Sequence, residues 1–388
     1  MLPDVAAAAP ARIEVISDAA GFAALRPEWT DLLMRSAASG PFLTWEWLHT
    51  WWAHLRGSRL LRILTVRDGH ELIAIAPFAI GSARVPWLSR LEFLGAGYAG
   101  SDYLDLIVRR DREREGVDAI SRWIATQKLS LHLDHLPVHS LAAQLVRPAM
   151  TNGWTAIATA SGICPFVPLA GHSWDSYLAT VGSAHRANFR RRFRALSRDF
   201  AVTFTRARSE AERQTQLSTL VNLHNTRWDK RGGSTAFPDA ACRAFHDDAT
   251  RLAFQSGWLR LFELRLNGAP VAATYCFAYD GRYSFYQGAF DERYRQYSVG
   301  LVAMGLTIRS AIDEGAVDYD LLYGDESYKW LWARDTRMLE RLELFPPHFG
   351  GRLHQRTVEA ERRMRAFARR FFPRKQCDSN IRPAGAVC

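Results

Sequence analysis

Two stretches of this chain alternate apolar and polar residues around a tight-turn dipeptide. Residues 63–75, Ile-Leu-Thr-Val-Arg-Asp-Gly-His-Glu-Leu-Ile-Ala-Ile, do so around Asp68-Gly69. Residues 262–274, Phe-Glu-Leu-Arg-Leu-Asn-Gly-Ala-Pro-Val-Ala-Ala-Thr, do so around Asn267-Gly268, 199 residues later. Alternation is the period of a half-buried strand, and Asp-Gly or Asn-Gly between two such runs is the strongest short-range hairpin signal. Both segments are predicted hairpins. A further run, Tyr283 to Phe290, is aromatic and bounded by Gly281, as strands often are. After it, Leu301, Met304, Ile308 and Ile312 recur at helical spacing, and Val317 to Tyr323 reads as another strand. The first half ends in the same way. A helix over roughly Glu113 to Gln127 precedes Leu131-His132-Leu133-Asp134-His135-Leu136, which is similar to Val317-Asp318-Tyr319-Asp320-Leu321-Leu322.

Each half thus runs helices, hairpin, strand, helix, strand. This is an α/β order with a mixed (α+β) sheet, built as two domains rather than a repeat array. Gly162, Pro165, Pro168 and Gly171 cluster between Ala160 and Trp174, where the boundary is expected. An extra helical segment follows, from about Ser176 to Gln255. The division is residues 12–165, 166–350 and 351–388. The last piece is a helix from Arg352 to Lys375 carrying nine Lys or Arg, then a disordered tail from Gln376.

Composition narrows the class of protein. Of 388 residues 48% are hydrophobic and 13 are tryptophan, enough for large cores, and Trp45, Trp47, Trp51 and Trp52 are expected to fill that of the first domain. A net charge of +10 implies an anionic partner, whether nucleotide cofactor, membrane surface, acidic glycan or nucleic acid. Five cysteines without metal-ligand spacing read as free thiols in a reducing compartment, so no metal is expected. Met1 to Pro10 lacks the pattern of a secretory signal. The longest apolar run, Leu72 to Ile80, contains Pro77 and is too short to span a bilayer. A cytoplasmic protein is expected, with contact to the inner face of the membrane left open.

The turn Tyr294-Arg295-Gln296-Tyr297-Ser298-Val299-Gly300-Leu301 links the aromatic strand to the helix. A polar, glycine-containing turn feeding a helix can aim free backbone N–H groups at a phosphate. The alternative is an ordinary turn with Ser298 as N-cap. Here the sequence resembles the GNAT superfamily of acyl-CoA N-acyltransferases, whose Gln/Arg-x-x-Gly-x-Gly/Ala turn binds the cofactor pyrophosphate. This chain has Arg295-x-x-Ser298-x-Gly300, with serine in place of the first glycine. The order of several segments resembles the tandem-domain FemAB-like and CelD-like group. These are Trp45 to Trp52, Arg186 to Arg194, His224-Asn225-Thr226-Arg227-Trp228, the Arg295 turn, and Gly324-Asp325-Glu326-Ser327-Tyr328-Lys329. The resemblance implies two tandem GNAT-like domains, the first degenerate and the second an acyltransferase. It also implies acetyl-CoA or another acyl-CoA as co-substrate, and a link to cellulose or exopolysaccharide production.

In that plan, Arg295, Gln296, Tyr297, Ser298, Val299, Gly300 and Leu301 hold the cofactor. Tyr328, or alternatively Tyr323, protonates the thiolate leaving group, while Asp325 or Glu326 takes a proton from the acceptor. Lys329 is a candidate anion ligand. The two acids also suit a helix N-terminus with no chemistry. Arg186, Arg190 and Arg194 form a charged helix stripe beside the buried stripe Phe189, Phe193 and Leu196. It reads as a phosphate or carboxylate site or as a solvated face. No recognisable nucleic-acid fold surrounds it. His224 is a candidate base, and it shares a helix face with Trp228 and Arg231. Arg227 and Trp228 are candidate substrate contacts, Trp228 equally a packing residue. The C-terminal helix, with Met364, Phe367, Phe371 and Phe372, is either a basic surface tail or a peripheral membrane contact over 352–375. Zinc-hydrolase, P-loop and serine-esterase motifs are absent from the sequence.

The expected function is acyl transfer, most simply of acetyl, to an amine or hydroxyl of a small or glycan-precursor acceptor. Two alternatives remain: Fem-like transfer from aminoacyl-tRNA to a cell-wall precursor, and a non-catalytic accessory protein that binds an anionic glycan precursor or the membrane.

Overall fold

The computed structural model describes residues 11–81, 89–97, 99–228 and 236–371. The readings of Arg231, Phe372 and the tail from Gln376 lie outside these residues. The first half runs β1 (Arg12–Ile16), α1 (Ala19–Ala24), α2 (Arg26–Arg35), α3 (Trp45–Leu55), β2 (Leu60–Asp68), β3 (Glu71–Gly81), β4 (Arg90–Phe93) and β5 (Ile107–Val108). It continues with α4 (Glu113–Thr126), β6 (Ser130–Pro137), α5 (Val146–Thr151) and β7 (Thr155–Pro168). The second half begins with α6 (Trp174–Thr180), α7 (Ser183–Asp199), β8 (Val202–Arg206), α8 (Glu210–Trp228) and α9 (Ala240–Gln255). After it come β9 (Leu259–Leu266), β10 (Ala269–Tyr279), β11 (Arg282–Phe290), α10 (Val299–Asp313), β12 (Asp318–Asp320), β13 (Asp335–Phe345) and α11 (Phe349–Phe371).

All thirteen strands join one sheet in the order β1-β2-β3-β4-β6-β13-β7-β12-β11-β10-β9-β8, with β5 beside β3. The order is symmetric about its centre, and the two halves have exchanged their last strands. β7 of the first half pairs with β12 of the second, and β13 of the second pairs with β6 of the first. β7 and β13 pair with each other along eleven positions, from Asp335–Phe166 to Phe345–Thr155. Neither half therefore closes its sheet alone.

The expected hairpins are present. Asn267 (φ 50°) and Gly268 (φ 82°) form the left-handed pair that joins β9 to β10. Asp280 (φ 49°) and Gly281 (φ 71°) make a further such turn between β10 and β11.

Several elements differ from the sequence reading. The stretch 160–168, where the boundary is expected, is strand. Gly162 serves close packing, because a Cβ there would lie 2.1 Å from Cε2 of Tyr323. The stretch 176–255 is not wholly helical. It contains β8, an edge strand like β1, and both are short and only half-buried. The strand expected over 317–323 is only Asp318–Asp320. The Asp320 carboxylate accepts the Leu322 N–H at 2.7 Å, and Leu322 turns left-handed at φ 58°. Trp47 is not confined to a first-domain core. Its ring packs edge-on against Phe245, Phe277 and Tyr286 of the second half, and its indole N–H donates to Ser101 Oγ at 2.8 Å.

His246 sits in this shared core, 1% exposed, among Trp47, Phe237, Phe245, Tyr275 and Tyr286. Burial pushes its imidazole down to about 3. An unfolded histidine takes its proton near pH 6.5, so the stability from the buried neutral ring is present above that pH and is lost as pH falls toward 3. His246→Leu is expected to flatten the rise of unfolding free energy between about pH 4 and 6 by up to roughly 1.4 kcal/mol per pH unit. Urea titrations of both proteins across that range check this. An unchanged slope would mean the ring titrates equally in both states.

Candidate active site

β11 and β12 run parallel through Arg282–Asp318, Tyr283–Tyr319 and Ser284–Asp320, and then part. β12 stops, while β11 continues to Phe290 with a bulge between its pairings Cys276–Phe285 and Tyr275–Gln287. The extra residue, Tyr286, donates its hydroxyl to the Ala99 carbonyl at 2.5 Å. Beyond the fork, the Gly288 N–H is taken by its neighbour's side chain, Gln287 Oε1, at 3.0 Å. Gly288 leaves this edge bare, since a Cβ there would lie 2.8 Å from the Phe285 ring.

A cavity of about 290 Å³ occupies the fork. Phe285, Gly288 and Phe290 of β11 form one wall, Tyr328 and Trp332 face them, and the start of α10 closes one end. A 3-10 turn over Glu292–Tyr297 leads into Ser298, which is left-handed at φ 54°, ψ 47°. The first helical bond observed is Val302 N–H to the Ser298 carbonyl, so the N–H groups of Val299, Gly300 and Leu301 precede any helical acceptor. Ser298 makes no side-chain cap, against the alternative reading of the turn, because such caps need the extended conformation it does not have. Arg295, Ser298, Gly300 and Leu301 line the cavity. Gly300 allows a close approach, as a Cβ would lie 2.8 Å from Cδ1 of Phe290. The Arg227 guanidinium stacks on the Phe290 ring at 4.3 Å; it also lies 5.4 Å from the Trp228 ring and 3.5 Å from Glu292.

A smaller chamber of about 30 Å³ adjoins it, sharing Arg227, Gln287, Gly288 and Tyr328 and adding His224, Trp228 and Glu326. Tyr328 therefore stands on the partition. His224 is 5% exposed; burial, then the nearby Arg227 charge, pushes its imidazole down to about 4, so the ring is neutral at pH 7 and a weaker base than a free imidazole. The structure thus brings His224, Arg227, Trp228, Glu326 and Tyr328 together with the Arg295 turn, from positions far apart in sequence.

Other expected residues lie elsewhere. Lys329 is 1% exposed rather than aimed at a ligand. Its ammonium donates to the carbonyls of Leu322 at 3.0 Å and Tyr323 at 2.7 Å, and pairs with Glu326 at 2.9 Å. It fixes the turn after β12. Asp325 is exposed and accepts the Trp330 indole N–H at 2.7 Å. Tyr323 lines neither chamber; it packs on Gly162 and on the His135 ring, 4.7 Å away. Val299 is in the core, Tyr297 packs on Phe200, and the Gln296 carbonyl accepts from Arg192. Arg186 donates to the carbonyls of Leu178 and Ala179 at the end of α6, Arg190 reaches Asp175 at 3.5 Å, and Arg194 is exposed. None of these three arginines lines either chamber.

Gln287 and Gly288 escaped the sequence reading. A glycine inside a strand pattern is a signal of a bulge or close backbone approach, and Gly288 carried it.

A larger cavity, about 500 Å³, lies between the halves. Its charged groups are engaged with the fold. Arg337 bridges Asp318 and Asp320, and Asp105 accepts the N–H groups of Leu106, Leu141 and Ala142 while burial pushes its carboxyl up to about 6. The helix terminus and the parted strand edge belong to the smaller cavity.

No curated protein matches the chain in sequence. Several solved structures share its fold at low identity, among them the following three. FemX has a TM-score of 0.61 and 10% identity, over 89% of this chain and 99% of that one. A conserved protein of unknown function from Bacteroides thetaiotaomicron has 0.54 and 11%, over 86% and 99%. The C-terminal domain of an Agrobacterium fabrum protein named for lysylphosphatidylglycerol synthesis has 0.52 and 10%, over 90% and 97%. The chain shares with them a fold of two halves whose strand orders mirror each other in one mixed sheet. Residues 183–330, which carry the forked strands, the α10 turn and Tyr328, match the acetyltransferase (GNAT) domain family.

Proposed function

We propose that the second half transfers an acyl group, acetyl in the simplest case, from acyl-CoA to an amine or hydroxyl. One observation carries this reading: the free end of α10 and the parted edge of β11 open into one cavity, with Tyr328 on its partition. The amides of Val299, Gly300 and Leu301, with Arg295 beside them, suit a pyrophosphate. The thioester arm lies along β11 in the fork. Its carbonyl oxygen replaces Gln287 Oε1 on the Gly288 N–H, which then stabilises the oxyanion formed on attack.

The acceptor enters from the His224 side. Its lone pair attacks the carbonyl carbon, and its proton passes to the neutral imidazole directly or through water. The C–S bond breaks, and the thiolate takes the Tyr328 proton. No covalent enzyme intermediate is needed. Arg227 spans both chambers, and with the net charge of +10 it supports an anionic acceptor such as a glycan or envelope precursor.

The test is release of free thiol from acetyl-CoA with a panel of amine and hydroxyl acceptors, run beside charged tRNA as donor. Acceptor-dependent thiol release supports the reading. Transfer from charged tRNA alone contradicts it.

A further inference from the structure

A helix on a globular surface normally turns its apolar face inward, and α11 does the reverse. Its body-facing positions are Gly351, His354, Val358 and Arg362, of which only the half-buried Val358 is a sizeable apolar side chain. Gly351 packs so closely that a Cβ would lie 2.2 Å from the Pro346 carbonyl oxygen. His354 meets Ser130 Oγ at 2.9 Å, and Arg362 pairs with buried Glu343. The outward face carries Phe349 at 83% exposure, Met364 at 63% and Phe367 at 64%, with half-buried Leu353 and exposed Ala360 between them. At 100° per residue, these five fall within an arc of about 60°. Along one edge of this arc run Arg352, Arg356 and Arg363, all exposed. The helix holds seven arginines against two glutamates, and neither glutamate position falls within the apolar arc.

We infer that the outer face of α11 docks on an anionic lipid surface, apolar stripe in the headgroup boundary and arginines at the phosphates. An amphipathic helix in a membrane interface has this division of residues. Long arginine stems can follow the apolar face while their guanidiniums stay at headgroup level. No helix among the described residues is long and apolar enough to cross a membrane, so the contact is peripheral. Charge favours lipid over a second copy of the chain, since two such faces paired antiparallel bring like-charged arginine rows together. The inference is independent of the acyl-transfer reading.

Sedimentation of the full chain with vesicles tests it. Binding to phosphatidylcholine vesicles containing roughly one-third phosphatidylglycerol is expected to exceed binding to pure phosphatidylcholine by at least about tenfold. The combined change Phe349→Ser, Met364→Ser and Phe367→Ser is expected to remove most of that binding. These side chains face solvent, so the far-UV circular dichroism should be unchanged. A second variant, Arg352→Gln with Arg356→Gln and Arg363→Gln, is expected to lose the preference for the anionic vesicles. Equal binding to both vesicle types would overturn the inference. So would binding that survives the serine changes, or a wild-type dimer that those changes dissolve.

Discussion

Tyr328→Phe is expected to lower kcat about 100-fold while leaving acyl-CoA binding within about threefold of wild type, the signature of a lost general acid. The ring is half-buried against the core that holds Trp332, and phenylalanine keeps those contacts. Only the hydroxyl is removed. Expelling an unprotonated thiolate then becomes the slow step, so the loss falls on turnover rather than binding. A substrate with a better leaving thiol should recover part of the rate. Tyr323 gives no substitute, because it packs on the far side against Gly162 and His135. A rate within a few-fold of wild type would move the acid elsewhere, to water or to the acceptor itself.

Arg337→Ala is expected to destabilise the fold by about 3–5 kcal/mol at neutral pH, the usual result of removing one partner from a buried ionic group. Arg337 lies on β13 and donates to Asp318 and Asp320 of β12 at 2.6 Å each, and its guanidinium lies 3.8 Å from the ring of Phe166 on β7. Both carboxylates are at most 5% exposed, and Asp320 also accepts the Tyr103 hydroxyl at 2.7 Å. The knot therefore joins the exchanged strands and reaches into the first half. Burial pushes the Asp320 carboxyl up and Arg337 opposes that shift, so without the arginine the acid is raised further. A folded-state value raised above the unfolded one gives a contribution that is present at low pH and lost as pH rises. The deficit of the variant should accordingly shrink toward about pH 4. Adding Asp318→Asn and Asp320→Asn should recover stability. Urea unfolding at two pH values checks both points, and a pH-independent deficit would contradict the charge account.

Local chemistry made much of the fold legible. Asn267-Gly268 can occupy two left-handed positions cheaply, so that hairpin is written in two residues. The α10 face and the turn before it are likewise local. The strand exchange is not, because the eleven-position pairing of β7 with β13 joins residues 169 to 190 positions apart. Gly162 and Pro165 read as a boundary signal within β7, yet the glycine is there for the Tyr323 ring.

The site shows the same division. Ser298, Gly300 and Tyr328 could be placed by their position after a strand. The company of His224 and Arg227 depends on where α8 crosses the fork, which no spacing encodes. The arginine stripe of α7 misled for a related reason. Arg186 spends its guanidinium on the carbonyls of α6, a use that only the packed helices reveal.

Acyl transfer by this site requires the end of α10 to hold the pyrophosphate of acyl-CoA. Titration calorimetry of wild type and Gly300→Val with acetyl-CoA measures that contact. A valine side chain would press on Phe290 and fill the approach to the free amides. Wild type is expected to bind at one site per chain and the variant at least about a hundredfold more weakly, with circular dichroism unchanged. Failure of the folded wild type to bind, or equal binding by both proteins, would contradict this role for α10.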